Sequence, residues 1–536
     1  MDFNVGETDL LIKDLKLNIN PITAMRKIAF LIITGLCFFL HNAWSQKKNV
    51  FNSADLKIDW QLISNNYKGK DQYLFALTFT NTSKKSLLPS SGWTIYYNAN
   101  RDIADSNLIG PMKSFRWHGD LFYLKPTAEF KGLKPGESIR VEGIGDAWVF
   151  NISDAPSGYY WVWDQDPKTA LAINNTSARP PADINKFKRS PDQVNDQITP
   201  EMVFEQNKNI RDLPSASIPK ILPTPVSFEA RAGQFILNEQ TILQSDAVFE
   251  KEANYLIEEL KMYLGKSLSK GIGKVESNAI QLVFDNSIST EGYALEVKSN
   301  GITIRSSSGA GIFYGIQSLK ALLPLNAWQS PQSSLSISNA IVNDNPRFGY
   351  RGLHIDVARN FQTKQQVMRV LNWMAMYKLN KLHFHFSEDD AWRVEIPALP
   401  ELTTVGVQRG HTLDSKEHMP SAYGSGGDIN NPQSSFYTRA DYIDILRFAK
   451  NRHIDVIPEI ETPGHARAAI KAMDARFRKL MQEGKEAEAK KYLLSDPDDK
   501  SIYLSAQNFR DNVMCVAQPG VYNFIATAVD AFIEMH

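Results

Sequence analysis

From Pro346 onward the chain alternates between two hydrophobic periods, and this alternation restricts the fold more than any other feature. GYRGLHIDVAR, KLHFHFSE and IDVIPEIE are short runs rich in apolar and β-branched residues, each read as a strand. TKQQVMRVLNWMAMYK and YTRADYIDILRFAKNRH lie between them and carry apolar residues at helical spacing, and PGVYNFIATAVDAFIEMH follows as a further helix. Strand–helix–strand order predicts parallel strands joined by crossover helices. Three such units fit the first part of a (β/α)8 TIM barrel, in which chemistry gathers at the C-terminal ends of the strands. The 191 residues from Pro346 fall short of the ~250 of a whole barrel.

Upstream the period changes twice. Residues 49–170 carry short aromatic and β-branched runs such as LKIDWQLISN, YLFALTFTN and GWTIYYNAN, punctuated by Asn, Gly, Pro and Ser. That spacing predicts a β-sandwich. Its Trp93, Trp117, Trp148, Trp161 and Trp163 are candidates for a sugar-stacking strip, with the sandwich core as the competing location. Residues 171–216 are rich in Pro, Asn and Asp and are read as a linker. Residues 217–345 mix strands with an amphipathic helix that sets Ala253, Leu256, Ile257 and Leu260 on one face, a small α+β domain. Its GAGIFYG, residues 309–315, lacks dinucleotide-loop spacing and is read as a turn before a packed helix.

Residues 1–45 are read as an upstream extension plus a signal peptide. Arg26 and Lys27 precede an apolar run from Ile28 to Leu40, and Ala43 and Ser45 supply the small residues of a cleavage site. The run is shorter than the ~20 residues of a spanning helix. The expectation is export to the periplasm or beyond, with Met25 as the true start and no stable membrane anchor. Removal of the signal would leave Cys515 as the one cysteine, so no internal disulfide is expected. Lys+Arg and Asp+Glu both number 59, which gives no basic footprint for nucleic acid.

The three C-terminal strands end in charged groups. Asp356 and Arg359 follow the first, and Glu388, Asp389 and Asp390 follow the second. Glu459 and Glu461 end the third, with His465 just beyond. In a barrel these ends converge on one bowl. A metal reading competes, because His383 and His385 lie two apart on a strand and share a face. No second paired His cluster follows, so the expectation is no metal and no cofactor.

RGLHIDVARNF, NKLHFHFSEDDAWRVEI and VIPEIETPGHARAAI resemble the first three barrel strands of the family-20 glycoside hydrolases, β-N-acetylhexosaminidases, and in particular their bacterial chitobiase branch. GWTIYYN and WHGDLFYLKPTAEFKGLKPGES resemble the N-terminal carbohydrate-binding-like sandwich of that branch, and GIFYGIQSL its α+β domain. The resemblance implies hydrolysis of terminal β-linked N-acetylhexosamine from oligosaccharides, with the substrate's own acetamido group as nucleophile. It implies that Arg359 binds hydroxyls of the terminal sugar. Glu388 and Asp389 then belong to the polar shell, and His465, oriented by Glu461, supports the catalytic acid. Many relatives have Asp where this chain has Glu388 and Glu461. The family's acid and its partner sit in a Gly-Gly-Asp-Glu signature after the fourth strand, and no Gly-Asp-Glu occurs here. The expectation is an inactive N-terminal fragment with none of the catalytic pair. A non-catalytic carbohydrate-binding protein and a metal-dependent barrel hydrolase stand as alternatives.

Overall fold

The computed structural model describes residues 51–101, 103–190, 192–193, 200–214, 218–271 and 277–536. The expected signal region lies outside the described residues. Among them, no helix is long and apolar enough to cross a membrane.

The N-terminal part is a sandwich of two five-stranded sheets. Its strands are β1 (Leu56–Ser64), β2 (Gln72–Asn81), β3 (Trp93–Asn98), β4 (Ile103–Ile109), β5 (Met112–His118), β6 (Leu121–Pro126), β7 (Ser138–Asp146), β8 (Ser157–Trp163), β9 (Asp166–Ala172) and β10 (Thr176–Arg179). One sheet runs β10-β1-β2-β7-β4 and the other β5-β6-β3-β8-β9. Period-2 alternation drives it: Leu56, Ile58, Trp60 and Leu62 of β1 all turn inward and are buried. Trp93 and Trp161 are buried in this core with ring centroids 4.6 Å apart, so they form no surface strip. The segment read as a linker is partly built into the sandwich. β10 pairs in parallel with β1, and Ile173 and Phe187 enter the core. Two apolar side chains within a polar stretch suffice to anchor it, and composition averaged over the stretch conceals them.

The second part is a seven-stranded sheet made of β11 (Ser227–Asn238), β12 (Ile242–Ser245), β13 (Ser269–Lys270), β14 (Ala279–Phe284), β15 (Tyr293–Lys298), β16 (Gly301–Ser306) and β17 (Ser334–Asp344). Their order is β11-β17-β15-β16-β14-β12-β13. The helices Glu250–Leu264 and Gly309–Ala321 pack on it and on each other. Ala253, Leu256 and Leu260 are buried as the periodicity requires. GAGIFYG opens the second helix, capped by Ser308. A Cβ at Gly311 would stand 2.0 Å from Ser306 Oγ and 2.2 Å from the Gly292 carbonyl oxygen, so glycine there serves close helix–sheet packing.

The third part has a three-stranded parallel sheet of β18 (Gly352–Asp356), β19 (Lys381–His385) and, after the short paired segments β20 (Arg409–Gly410) and β21 (Met419–Pro420), β22 (Asp455–Glu459). The helices Lys364–Met376 and Arg439–Lys450 connect the three strands, and each begins in a capping box, Thr363 with Gln366 and Thr438 with Asp441. The helix Arg467–Gln482 follows β22. The helix Pro519–Met535 sets Phe532 against Phe386 and Tyr442, extending an aromatic layer beneath the sheet. Leu382, Phe384 and Val456 face this layer and are buried. Leu353 and Ile457 are each 39% exposed. The described residues hold these three parallel strands and no closed barrel.

Candidate functional site

The register of the parallel sheet places the charged strand ends side by side. Asp356 pairs with His385, and His385 with Glu459. Side chains two apart share a face, so His354, His383 and His385 cluster on the side opposite the aromatic layer. His385 lies between two acids, with Nδ1 2.7 Å from Glu459 and Nε2 3.3 Å from Glu388. Burial opposes its charged form, but hydrogen bonds to those carboxylates outweigh it and raise its pKa to about 9. The ring is therefore charged near neutral pH.

Glu388 is the hub. Its side chain is 3% exposed and accepts on both oxygens. Arg359 Nη2 forms an ion pair with Oε1, while His465 Nδ1 approaches Oε2 at 2.9 Å and the Asp389 amide at 3.2 Å. His465 thus meets Glu388, not Glu461 as expected. The side chain of Glu388, one methylene longer than Asp, bridges Arg359 and His465. Glu461 stands near with its pKa raised, first by burial and then by the charge of Glu388, and its amide donates to Ser387 Oγ at 2.8 Å. His465 has φ 51°, the left-handed region that a non-glycine residue occupies only when its surroundings hold it. Burial opposes its charge, yet the Glu388 hydrogen bond raises its pKa.

Arg359 is 21% exposed and surrounded by carboxylates. Nη1 donates to Asp356 at 2.6 Å, and Nε lies 3.9 Å from Asp390 Oδ2. Asp389, fully buried, accepts from the Arg467 amide at 3.2 Å and from Asn512 Nδ2 at 2.9 Å. Its pKa is pushed up to about 6, chiefly by burial. The structure therefore brings Arg359, Glu388, Asp389, Glu461 and His465 into one shell.

Three sets could hold a metal ion by proximity: His354–His385–Glu459, His385–Glu388–Glu461 and Glu388–Asp389–His465. Two of them need Glu388, whose oxygens already face Arg359, His385 and His465. A cation at either of those two would compete with the Arg359 guanidinium for Glu388, so those two sets fit a polar organic ligand better than an ion.

Residues 348–536 match the glycosyl hydrolase family 20 catalytic domain, 218–345 match domain 2 of the same family, and 55–201 match a putative carbohydrate binding domain. The chain has the domain architecture of glycosyl hydrolase family 20. Its homologues include a β-hexosaminidase of Vibrio vulnificus, 32% identical over 92% of this chain and 59% of the relative. An N,N'-diacetylchitobiase of Vibrio harveyi is 35% identical over 80% of this chain and 48% of the relative. The chain thus spans roughly half to three-fifths of the length of these relatives. A GH20 exo-β-N-acetylglucosaminidase structure from Vibrio harveyi, in complex with N-acetylglucosamine, superposes with TM-score 0.70 at 26% identity, covering 90% of this chain and 66% of that one.

Around this shell lie residues that sequence reasoning did not find. Arg393 donates to the carbonyls of Val357 and Ala358, and Arg409 to those of Ala358, Arg359 and Asp390. Both are fully buried and tie the loop after β18 to the segments after β19. In sequence they look like ordinary surface arginines, because their acceptors are backbone groups that carry no residue signature. His385 was weighed only as a metal ligand. Asp120, in the turn after β5, is a further miss. It accepts from the Tyr423 amide at 2.8 Å and from Asn98 Nδ2 at 3.0 Å. Burial, then the charge of Asp390, pushes its pKa up to about 7.

Proposed function

We propose that the chain forms the sugar-holding side of a β-N-acetylhexosaminidase that releases terminal β-linked N-acetylhexosamine from chitobiose-like oligosaccharides. The observation that carries this reading is Arg359, a partly exposed guanidinium oriented by Asp356, Glu388 and Asp390 at the ends of neighbouring parallel strands. Such a fork gives charge-assisted hydrogen bonds to vicinal hydroxyls. The diacetylchitobiase relative and the N-acetylglucosamine complex of a related structure support the substrate class. On this reading β18, β19 and β22 are the first three strands of a TIM barrel.

In the substrate-assisted retaining reaction, the 2-acetamido carbonyl attacks the anomeric carbon as the glycosidic bond breaks, and an acid gives its proton to the leaving oxygen. Water then opens the cyclised intermediate and restores the acetamido group. Glu388, Asp389 and His465 bind and orient here. No Gly-Asp-Glu signature occurs in the chain, and on this reading the shell described here does not supply the acid, so the chain on its own is read as inactive. The order of basic, apolar and small residues from Arg26 to Ser45 supports an exported protein.

Substitution of Arg359 by Lys tests the reading. Losing the planar fork removes hydrogen bonds worth roughly 1.5–3 kcal/mol each. N-acetylglucosamine, titrated calorimetrically into Arg359→Lys, should bind about tenfold or more weaker than to the native chain. Equal dissociation constants would remove the assignment.

A further inference from the structure

The parallel sheet carries imidazoles and a carboxylate on one face, and the Arg359 shell uses only part of them. His354 of β18 pairs with His383 of β19, and His385 pairs with Glu459 of β22. Three ring nitrogens converge on one atom, Glu459 Oε2. His383 Nε2 lies at 2.6 Å, His385 Nδ1 at 2.7 Å and His354 Nε2 at 3.8 Å. His354, His385 and Glu459 thus offer three donor atoms, all within 4.8 Å of one another and taken from three strands. Donors around a tetrahedral ion with bonds of ~2.0–2.1 Å stand about 3.3 Å apart, a separation that the 2.7 Å and 3.8 Å spacings bracket.

The outer contact of His385 is that of a metal ligand. Its Nε2 faces Glu388 Oε1 at 3.3 Å, so a proton on Nε2 is held there and Nδ1 is left to present a lone pair toward Glu459. A ligating histidine ordinarily gives its other N–H to a carboxylate, which fixes the tautomer and strengthens the ring as a donor. The His385 side chain is 6% exposed and that of His354 50%, so the set is anchored on one side and open to solvent on the other. Asp356, Glu388, Glu459 and Glu461 outnumber the Arg359 guanidinium around this face, which favours a positive ion there. We propose that His354, His385 and Glu459 form a binding site for a divalent first-row transition-metal ion such as Zn2+, with His383 within reach as a fourth donor. Two imidazoles and a carboxylate suit such an ion, whereas Ca2+ and Mg2+ ask for oxygen ligands. Unlike the two sets that include Glu388, this one leaves the Arg359 and His465 contacts of Glu388 in place. The ion ties β18, β19 and β22 together beside the Arg359 shell. The expectation of no metal looked along the chain for a second histidine pair, and the strand register supplies His354 from the neighbouring strand instead.

The test uses the tag-free chain, stripped with a chelator and titrated calorimetrically with zinc chloride while its melting temperature is followed. One Zn2+ per chain should bind and raise the melting temperature by several degrees. His354→Ala and Glu459→Gln should each weaken binding about 100-fold or more. Glu388→Gln, which removes only the outer partner of His385, should weaken it about tenfold. Co2+ should give a visible absorption band that His354→Ala abolishes, a readout that a loss of stability alone would not produce. Equal Zn2+ affinity in the native chain, His354→Ala and Glu459→Gln would overturn the site by showing an adventitious surface ion. Binding abolished by Glu388→Gln and untouched by His354→Ala would overturn it by moving the ion onto the Glu388 sets. A melting temperature raised as much by Ca2+ as by Zn2+ would contradict the nitrogen ligation, and no binding of Zn2+ at all would remove the proposal outright.

Discussion

Glu388 draws a guanidinium, two imidazoles and a backbone amide onto one carboxylate, and its charge is felt throughout the shell. His385 and His465 titrate high because of it, although burial works against both. Glu388→Gln should therefore lower both histidine pKa values, that of His385 from about 9 toward the ordinary 6.5. Ring-proton chemical shifts followed through a pH titration measure this directly. Unchanged values would mean that Glu459 and Glu461 supply the stabilisation. At this scale the sequence was informative about which acids gather, because strand ends converge in any parallel α/β sheet. It was uninformative about pairing. Whether His465 meets Glu461 or Glu388 depends on side-chain length and loop path, and neither can be read from spacing.

Elements bring these residues together, and the junction between the sandwich and the third part is the least forgiving of them. Gly119 has φ +54°, and a Cβ there would stand 2.5 Å from the ring of Phe509. Gly119→Ala should displace that ring and loosen the sandwich from the loop that carries Asn512, while the sandwich itself stays folded. Limited proteolysis should then cut near residues 505–512 faster than in the native chain. An unchanged cleavage pattern would show that the junction is held from elsewhere. Strands with period-2 burial and helices with capping boxes were legible in advance, since both signals are local. The helix Arg467–Gln482 went unread, and so did the docking of His118, Gly119 and Asp120. Contacts between residues hundreds apart in sequence leave no periodic trace.

At the scale of the whole molecule, several groups shift in the same direction. Asp120 and Asp389 have folded pKa values of about 7 and about 6, above the 3.8 of a free Asp. The folded state then holds more protons than the unfolded one, so stability falls as pH rises from about 4 through 7. His385 and His465 are also raised, and their contribution is full below about 6.5 and lost at higher pH, through about 9 for His385. Glu459, Asp356 and Asp511 are lowered, so their contribution disappears only under acid conditions. The melting temperature should decline between pH 5 and 9, and Asp120→Asn should flatten the acidic half of that slope. A melting temperature that climbs with pH over this range would contradict the assigned shifts.

On the proposed reading this constellation holds a sugar and does not itself donate the proton. The direct test is hydrolysis of an aryl N-acetyl-β-glucosaminide by the purified 536-residue chain, native and Glu388→Gln. A positioned acid supplies ~10²–10⁴-fold in rate, and the acetamido nucleophile needs its own orienting partner. No turnover by either protein is expected. Turnover that persists after removal of host hexosaminidases and disappears in Glu388→Gln would contradict it, and would place the catalytic acid inside the shell described here.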